Sequence, residues 1–145
     1  MFKHILLPTD GTEASLKAAR LTMELSKRLG ARLTVLHVVP PIPRHRHRGD
    51  AAVAEKLDPI EANQQHAAEC LNQIAELAAA HEVVCNCSEV TDSAPYRAIV
   101  DFARQHECDL IVMGSHGKHG LERLVMGSQT HKVLLASHLP VLVCP

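Results

Sequence analysis

Short apolar segments alternate along the chain with longer segments of helical periodicity. The apolar segments are typical of buried strands and span residues 2–7, 33–39, 83–90, 109–113 and 141–144. Between the first two, one apolar helix face is predicted by the series Ala14, Ala18, Leu21, Leu25 and Leu29, and Gly30 ends that helix. Strands that alternate with helices predict an α/β protein with a parallel sheet and right-handed crossovers.

Capping residues predict where the later helices begin. Asp58 with Pro59 starts a helix that continues to about His81, and Ser93 with Pro95 opens the next one. Ser128 is the predicted N-cap of the last helix, which extends to Ala136. Because segment 83–90 is the most polar of the strands, it is expected at an edge of the sheet.

Length and charge narrow the class of protein. The chain of 145 residues predicts a single domain over residues 1–145, with an aliphatic core because aromatic residues make up only 2%. The formal net charge of -1 gives no basic bias toward nucleic acid. No apolar run approaches the roughly 20 residues of a membrane helix, and the N-terminal apolar run is too short for a signal peptide. We therefore expect a soluble, cytoplasmic protein with neither a membrane nor a nucleic-acid partner.

The cysteines number five, an odd and scattered set that favours reduced thiols packed as small apolar residues. Cys85 and Cys87 would share one face of a strand. A zinc site normally needs a second such pair or histidines at a set spacing, and neither is evident around them. Structural packing is therefore the favoured interpretation.

The stretch Gly114 to Ser128, GSHGKHGLERLVMGS, holds four of the seven glycines. It joins a buried strand to a helix N-terminus, a corner whose N–H groups suit phosphate. It is not a Walker A loop, because His119 follows Lys118 where Ser or Thr is required. Nor is it the dinucleotide fingerprint, which belongs in the first strand–helix turn. A side chain at Gly127 would fill the phosphate space or demand an unfavourable φ.

The spacing Gly114-x2-Gly117-x9-Gly127-Ser128 resembles the ATP-binding signature of the universal stress protein family, G-x2-G-x9-G-S/T. Segments 5–11, 33–39 and 140–143 are also similar to that family. The resemblance implies an open five-stranded parallel sheet in the order 3-2-1-4-5, with helices on both faces in a Rossmann-like nucleotide-binding fold. In this order the ends of strands one and four meet at the switch point, where ligands bind.

The resemblance also implies a set of site residues. Asp10 would contact the nucleotide or hold Mg²⁺ beside its phosphates, with Pro8 and Thr9 as the pocket wall. Val38 would offer backbone groups to adenine, and Met113 would lie under the base. The phosphates would be held by Gly114, Gly117, Gly127, Ser128 and Gln129. Each has a structural alternative: Asp10 as a helix-start residue, Val38 as a buried strand residue, and the glycines as turn residues.

Charged residues nearby have two interpretations each. His116, Lys118, His119 and Arg123 either add positive charge around the phosphates or are solvated. The run Arg44–Arg48, RHRHR, is either a basic flap or metal-binding tract, or a solvated loop. The absence of apolar residues in that run favours the solvated loop.

The resulting hypothesis is an adenine-nucleotide-binding regulatory protein that carries ATP, or ADP or AMP, alone or with Mg²⁺. One alternative is an interaction module that binds no nucleotide. Another is a slow ATPase that uses Asp10, His116 or His119, although no motif supplies a base with an orienting partner. The last strand, Val141 to Cys144, has no charge or internal proline to guard its edge, which predicts a homodimer through that strand.

Overall fold

The computed structural model describes residues 1–43, 58–116 and 126–145, and within these ranges strands and helices alternate along the chain. The run Arg44–Arg48 and the residues Gly117, Lys118, His119 and Arg123 lie outside them. The elements are β1 (His4–Pro8), α1 (Glu13–Leu29), β2 (Arg32–Val39), α2 (Pro59–Ala80), β3 (Cys85–Thr91), α3 (Pro95–Gln105), β4 (Leu110–Gly114), α4 (Ser128–Ala136) and β5 (Val141–Cys144).

The strands form one parallel sheet in the order β3-β2-β1-β4-β5, which confirms the predicted order. Pro8 at the end of β1 pairs with Leu36 of β2, and Ile5 pairs with Leu110 of β4. The polar strand β3 lies at one edge, as expected, and β5 lies at the other. The switch point therefore lies between the carboxyl ends of β1 and β4.

Helices cover both faces of the sheet, which confirms the predicted architecture. One core cluster joins α1 and α2 to residues such as Leu7, Val35 and Val112. The other joins α3 and α4 to residues such as Leu36 and Ile111 on the opposite face. Successive residues of β1, β2 and β4 thus contribute to both clusters, because neighbouring side chains of a strand point to opposite faces. This double burial explains their continuous apolar sequences.

The predicted apolar face of α1 was correct for Ala18, which is buried, and for Leu25, which packs against the core, but wrong for Leu21 and Leu29. Leu21 and Leu29 are 39% and 40% exposed, whereas the buried positions are Ser15, Ala18, Ala19, Thr22, Met23 and Ser26. Hydroxyl groups can be buried here because Thr22 donates to the Ala18 carbonyl and Ser26 to the Ala31 carbonyl, both at 2.7 Å. Small side chains then let the helix approach the sheet closely. No helix in the described ranges is long and apolar enough to cross a membrane.

The helix ends bear out one capping prediction and correct another. Asp58 caps α2 by accepting from the Ile60 N–H, with Pro59 in the first turn. Ser128 is not the N-cap of α4 as predicted; Gly127 is, with φ -55° and ψ 145°, and Ser128 is the first helical residue. These angles are open to any residue, so the expectation that Gly127 needs an unfavourable φ was also wrong.

Candidate functional site

The turn from β1 into α1 forms the first wall of the candidate site. Thr9, which is buried, donates its N–H to the Leu36 carbonyl at 2.9 Å. Asp10 follows, and its Oδ1 accepts from the Thr12 N–H at 3.0 Å and from the Thr12 hydroxyl at 2.6 Å. One carboxylate oxygen therefore holds Thr12, the N-cap of α1, whose side chain accepts from the Ser15 N–H; this fits the structural alternative for Asp10. Oδ2 accepts no hydrogen bond from any residue of the described ranges.

Gly114 at the end of β4 lies directly against the first turn of α1. A Cβ atom placed on Gly114 would lie 2.7 Å from the Ala14 carbonyl oxygen and 2.8 Å from its carbon. The structure thus brings together the two segments with the most ligand-like sequences. It also gives Gly114 a packing role that needs no ligand, because any side chain would collide with the helix backbone.

Two hydrogen bonds tie the N-terminus of α4 to the same strand end. Thr130 donates its hydroxyl to the Gly114 carbonyl at 2.8 Å, and Gly127 donates its N–H to the Ser115 carbonyl. Among the residues that the structure describes, no side chain caps this helix. The first N–H groups of α4, beginning at Ser128, therefore carry the partial positive charge of a helix N-terminus beside β4.

Gln129 has a structural role that the sequence did not predict. Its Oε1 accepts from the backbone N–H of Tyr96 at 3.0 Å, in the first turn of α3. The N-cap residue of α3, Ala94, has no capping side chain, and no other described side chain accepts from this N–H. Since this oxygen is occupied, the Gln129 groups left for a ligand are its own backbone N–H and its amide Nε2.

Val38 presents its main chain at the switch point. The Leu36 carbonyl bonds to Thr9, so the peptide groups of Leu36 face β1, and alternation along the strand turns those of Val38 to the same side. β1 has ended by then, because its last paired residue is Pro8 opposite Leu36. The N–H and C=O of Val38 therefore face the space that β1 has left and present a donor and an acceptor there.

Met113 belongs to the core. It is 6% exposed and packs in the cluster with Leu6, Leu36 and Phe102. Only a small part of its surface could lie under a base. Gly117, the second glycine of the signature, lies outside the described residues, as do the neighbouring charges at 118, 119 and 123.

A different polar cluster stabilises the opposite end of the sheet. Burial disfavours ionisation of Asp109, yet its carboxylate accepts from the N–H groups of His4 and Lys3, and the net effect holds its pKa below 3.8. Burial and the charge of Arg32 lower the pKa of His4 below 6.5. These groups fasten β1 to the start of β4, away from the candidate site.

Two residues that the sequence did not single out, Thr130 and His37, hold the chain segments of the site in place. Thr130 anchors α4 to β4, and its only signal was a hydroxyl in the first helical turn. His37 bonds through Nδ1 to the Thr9 carbonyl at 2.9 Å and so holds the end of β1. The sequence feature that could have indicated His37 was an ionisable residue inside a mainly apolar strand. In the structure this side chain is only 4% exposed.

These features define a doubly wound parallel α/β protein whose loops converge at one switch point. The model of the Universal stress protein family matches residues 1–145. The chain belongs to this family.

Relatives span nearly the whole chain. A universal stress protein of Methanocaldococcus jannaschii is 34% identical over 99% of this chain and 82% of its own length. The structure of UspA from Lactobacillus plantarum has a TM-score of 0.81 at 29% identity, and covers 99% of this chain and 98% of its own. MJ0577 of Methanocaldococcus jannaschii has a TM-score of 0.76 at 28% identity, over 99% of this chain and 95% of its own.

More distant members of the family share the fold and were solved with nucleotides. One is a complex with cAMP at 23% identity and a TM-score of 0.70, covering 99% of this chain and 97% of its own. Another, from Archaeoglobus fulgidus, holds dAMP at 19% identity and a TM-score of 0.67, with 99% and 97% covered. A third, from Arabidopsis thaliana, holds AMP at 14% identity and a TM-score of 0.67, with 97% and 90% covered.

Proposed function

We propose that this protein binds an adenine nucleotide at the switch point between β1 and β4 and acts as a nucleotide-dependent regulatory module. The observation that carries the proposal is the convergence of three chain segments on one corner. The turn at Thr9–Asp10, the free main-chain edge of Val38 and the N-terminus of α4 all lie at the carboxyl ends of neighbouring strands. Family members solved with cAMP, dAMP and AMP support adenine as the base.

The base would be recognised through Val38. Adenine presents a donor and an acceptor side by side, and the N–H and C=O of one strand residue present the complementary pair. Pro8 and Thr9 form the neighbouring wall, and Met113 closes the floor through its small exposed surface. This part of the site recognises adenosine and does not depend on how many phosphates follow.

The phosphates would be held by the glycine loop and by the first turn of α4. Gly127 precedes the helix, and Ser128 adds a hydroxyl to the backbone N–H groups. Gly114, Gly117 and Gln129 complete the set that the family resemblance implies. Asp10 keeps Oδ2 for a ribose hydroxyl or for Mg²⁺ bridging a triphosphate. We propose ATP as the ligand on the strength of the intact signature, with ADP and AMP as the alternatives.

We further propose that the whole chain acts as one domain in the cytoplasm and assembles as a homodimer through β5. This strand occupies an edge of the sheet, and Leu142 within it is 38% exposed. The rival function is an interaction module that binds partners without nucleotide. A slow ATPase is the third candidate and would reveal itself by phosphate release from bound ATP.

A resident nucleotide can be identified directly by denaturing the purified protein and determining the molecular mass of any small molecule that is released. Titration calorimetry with ATP, ADP, AMP and cAMP then ranks the ligands. The decisive variant is Gly127→Val. Because φ -55° and ψ 145° suit valine, the variant should fold normally and change only the space next to the phosphates. We expect ATP affinity to fall at least about tenfold, which corresponds to roughly 1.4 kcal/mol.

Gly120→Ala is the matched control, because Gly120 stands outside the signature spacing, and it should bind ATP like the wild type. Normal ATP binding by Gly127→Val would remove the loop from the phosphate site. If the wild type bound none of the nucleotides, the proposed function would be wrong and the chain would be interpreted as an interaction module.

A further inference from the structure

A cluster of metal-ligating side chains lies behind the turn between β1 and α1. His37 of β2 meets His66 and Cys70 of α2, and one ligand atom from each lies within 4.8 Å of the other two. His37 and Cys70 are almost fully buried, whereas His66 is half-buried. The rings of the two histidines meet edge to face, with centroids 5.3 Å apart.

His37 is held in the tautomer that suits a metal. Its Nδ1 lies 2.9 Å from the Thr9 carbonyl oxygen, which can only accept, so Nδ1 carries the proton. In the neutral ring, Nε2 then presents its lone pair. A backbone carbonyl that orients the second nitrogen in this way is a recurrent feature of histidine metal ligands.

His66 and Cys70 are four residues apart on α2, so they lie on the same side of the helix. The His66 Nε2 and the Cys70 Sγ are 3.5 Å apart. In a tetrahedral zinc site with Zn–N of about 2.05 Å and Zn–S of about 2.3 Å, the nitrogen and sulfur ligands lie about 3.6 Å apart. This pair therefore already has the spacing of one tetrahedral edge, and the ion would draw His37 closer.

The turn at Gly11 and a groove in the surface border the cluster. Gly11 borders the cluster, and a Cβ atom there would come within 2.9 Å of the Cys70 sulfur. A groove lined by Gly11, His66, Glu69 and Cys70 opens to solvent beside the cluster. Three protein ligands leave a fourth position that water can reach through this groove.

We propose that His37, His66 and Cys70 form a site for a thiophilic divalent cation, with Zn²⁺ as the metal that two imidazoles and one thiolate favour. Binding breaks the Cys70 S–H bond, forms a Zn–S bond and releases the proton to the buffer. The ion would fasten α2 to the turn at Thr9 and so brace the wall of the candidate nucleotide site. The metal site shares no ligand with the proposed nucleotide contacts, so it can be tested without nucleotide and can stand if the proposed function fails.

The test uses the full chain, treated with a chelator and then titrated with Zn²⁺ or Co²⁺ in the absence of nucleotide. We expect one ion per chain and proton release, seen as a calorimetric heat that depends on the buffer. Co²⁺ should give thiolate charge-transfer absorption in the near ultraviolet together with tetrahedral d–d bands. Cys70→Ser should abolish the charge-transfer absorption, and His66→Gln should weaken Zn²⁺ binding at least about 100-fold.

Matched controls separate this site from the chain's other thiols and histidines. Cys87→Ser removes an exposed cysteine, His81→Gln removes a histidine just beyond α2, and a third variant replaces His45 and His47 by glutamine. All three should bind Co²⁺ like the wild type. His66→Gln keeps the test decisive if Cys70→Ser does not fold, because His66 is half-buried. Unchanged binding in His66→Gln, failure of one-to-one binding in the wild type, or loss of the signal in a control variant would each overturn the proposal.

Discussion

The contact between Gly114 and α1 allows the packing role of this glycine to be separated from its proposed ligand role. In Gly114→Ala, the new methyl carbon would lie 2.7 Å from the Ala14 carbonyl oxygen, whereas ordinary contacts begin at 3.4 Å. The backbone of Gly114 has no positive φ, so alanine introduces no conformational strain. The perturbation is therefore purely steric, and it acts on backbone that cannot rotate away.

The expected magnitude follows from the movement required. Restoring an ordinary contact means separating the end of β4 from the first turn of α1 by about 0.7 Å. Overpacking of this kind costs typically about 1–3 kcal/mol. For a chain of this length each kcal/mol lowers the melting temperature by about 3–4 °C. We expect Gly114→Ala to lose about 1–3 kcal/mol of unfolding free energy even in the absence of any nucleotide.

Urea denaturation of nucleotide-free protein measures this loss as a shift in midpoint at constant slope. Gly30→Ala is an informative comparison, because Gly30 has φ +63° and no atom within 4 Å of its added Cβ, so only backbone strain of about 1–2 kcal/mol applies. Ala14→Gly should not rescue Gly114→Ala, since the closest contact is with the carbonyl group. If Gly114→Ala unfolds within about 0.5 kcal/mol of the wild type yet loses ATP binding, the packing argument is refuted.

Two further predictions concern acid stability and assembly. Asp109→Asn should cost about 1–2 kcal/mol at pH 7, because the charged acceptor for the Lys3 and His4 N–H groups is lost. Since the folded pKa lies below 3.8, this contribution is present above pH 3.8 and disappears as the pH falls through the folded value. Urea titrations should therefore show the variant and the wild type converging in acid, and a constant difference would contradict this. Leu142→Lys places a charge on the exposed edge strand β5 and should shift the sedimentation coefficient from that of a dimer to that of a monomer. Val84→Lys is the control, because Val84 is 88% exposed near the other edge of the sheet, and it should leave the dimer intact. A wild-type protein that sediments as a monomer at micromolar concentration would exclude the dimer.

The sequence by itself determined the alternation of strands and helices, because those signals are local. Continuous apolar runs predict buried parallel strands, and Asp58 before Pro59 predicts a helix start, whatever the rest of the chain does. The order of the strands was not local information. It came from the resemblance to the family, which the signature spacing around Gly114 and Gly127 carried.

Helix orientation was decided by packing. Apolar residues such as Leu21 and Leu29 suggested one face of α1, yet the sheet accepts the face with Ser15, Thr22 and Ser26. Periodicity weighs residues by hydrophobicity alone. The orientation of the helix also depends on how closely it can approach the sheet and on whether each buried hydroxyl can donate to a carbonyl. Both depend on neighbouring residues that the local pattern does not contain.

The candidate sites also combine features that local sequence indicated with features that only the tertiary structure decided. The glycine spacing indicated a phosphate corner because glycine and helix N-termini have that property in any context. The pair His66 and Cys70 was not singled out from the sequence, although the two residues lie four positions apart on one helix. Only the tertiary structure brought His37 beside that pair, turned the peptide groups of Val38 toward the space left by β1 and pressed Gly114 against Ala14. Contacts between residues far apart in sequence depend on the register of strands and the height of helices above the sheet, and these are set by the packing of the whole core.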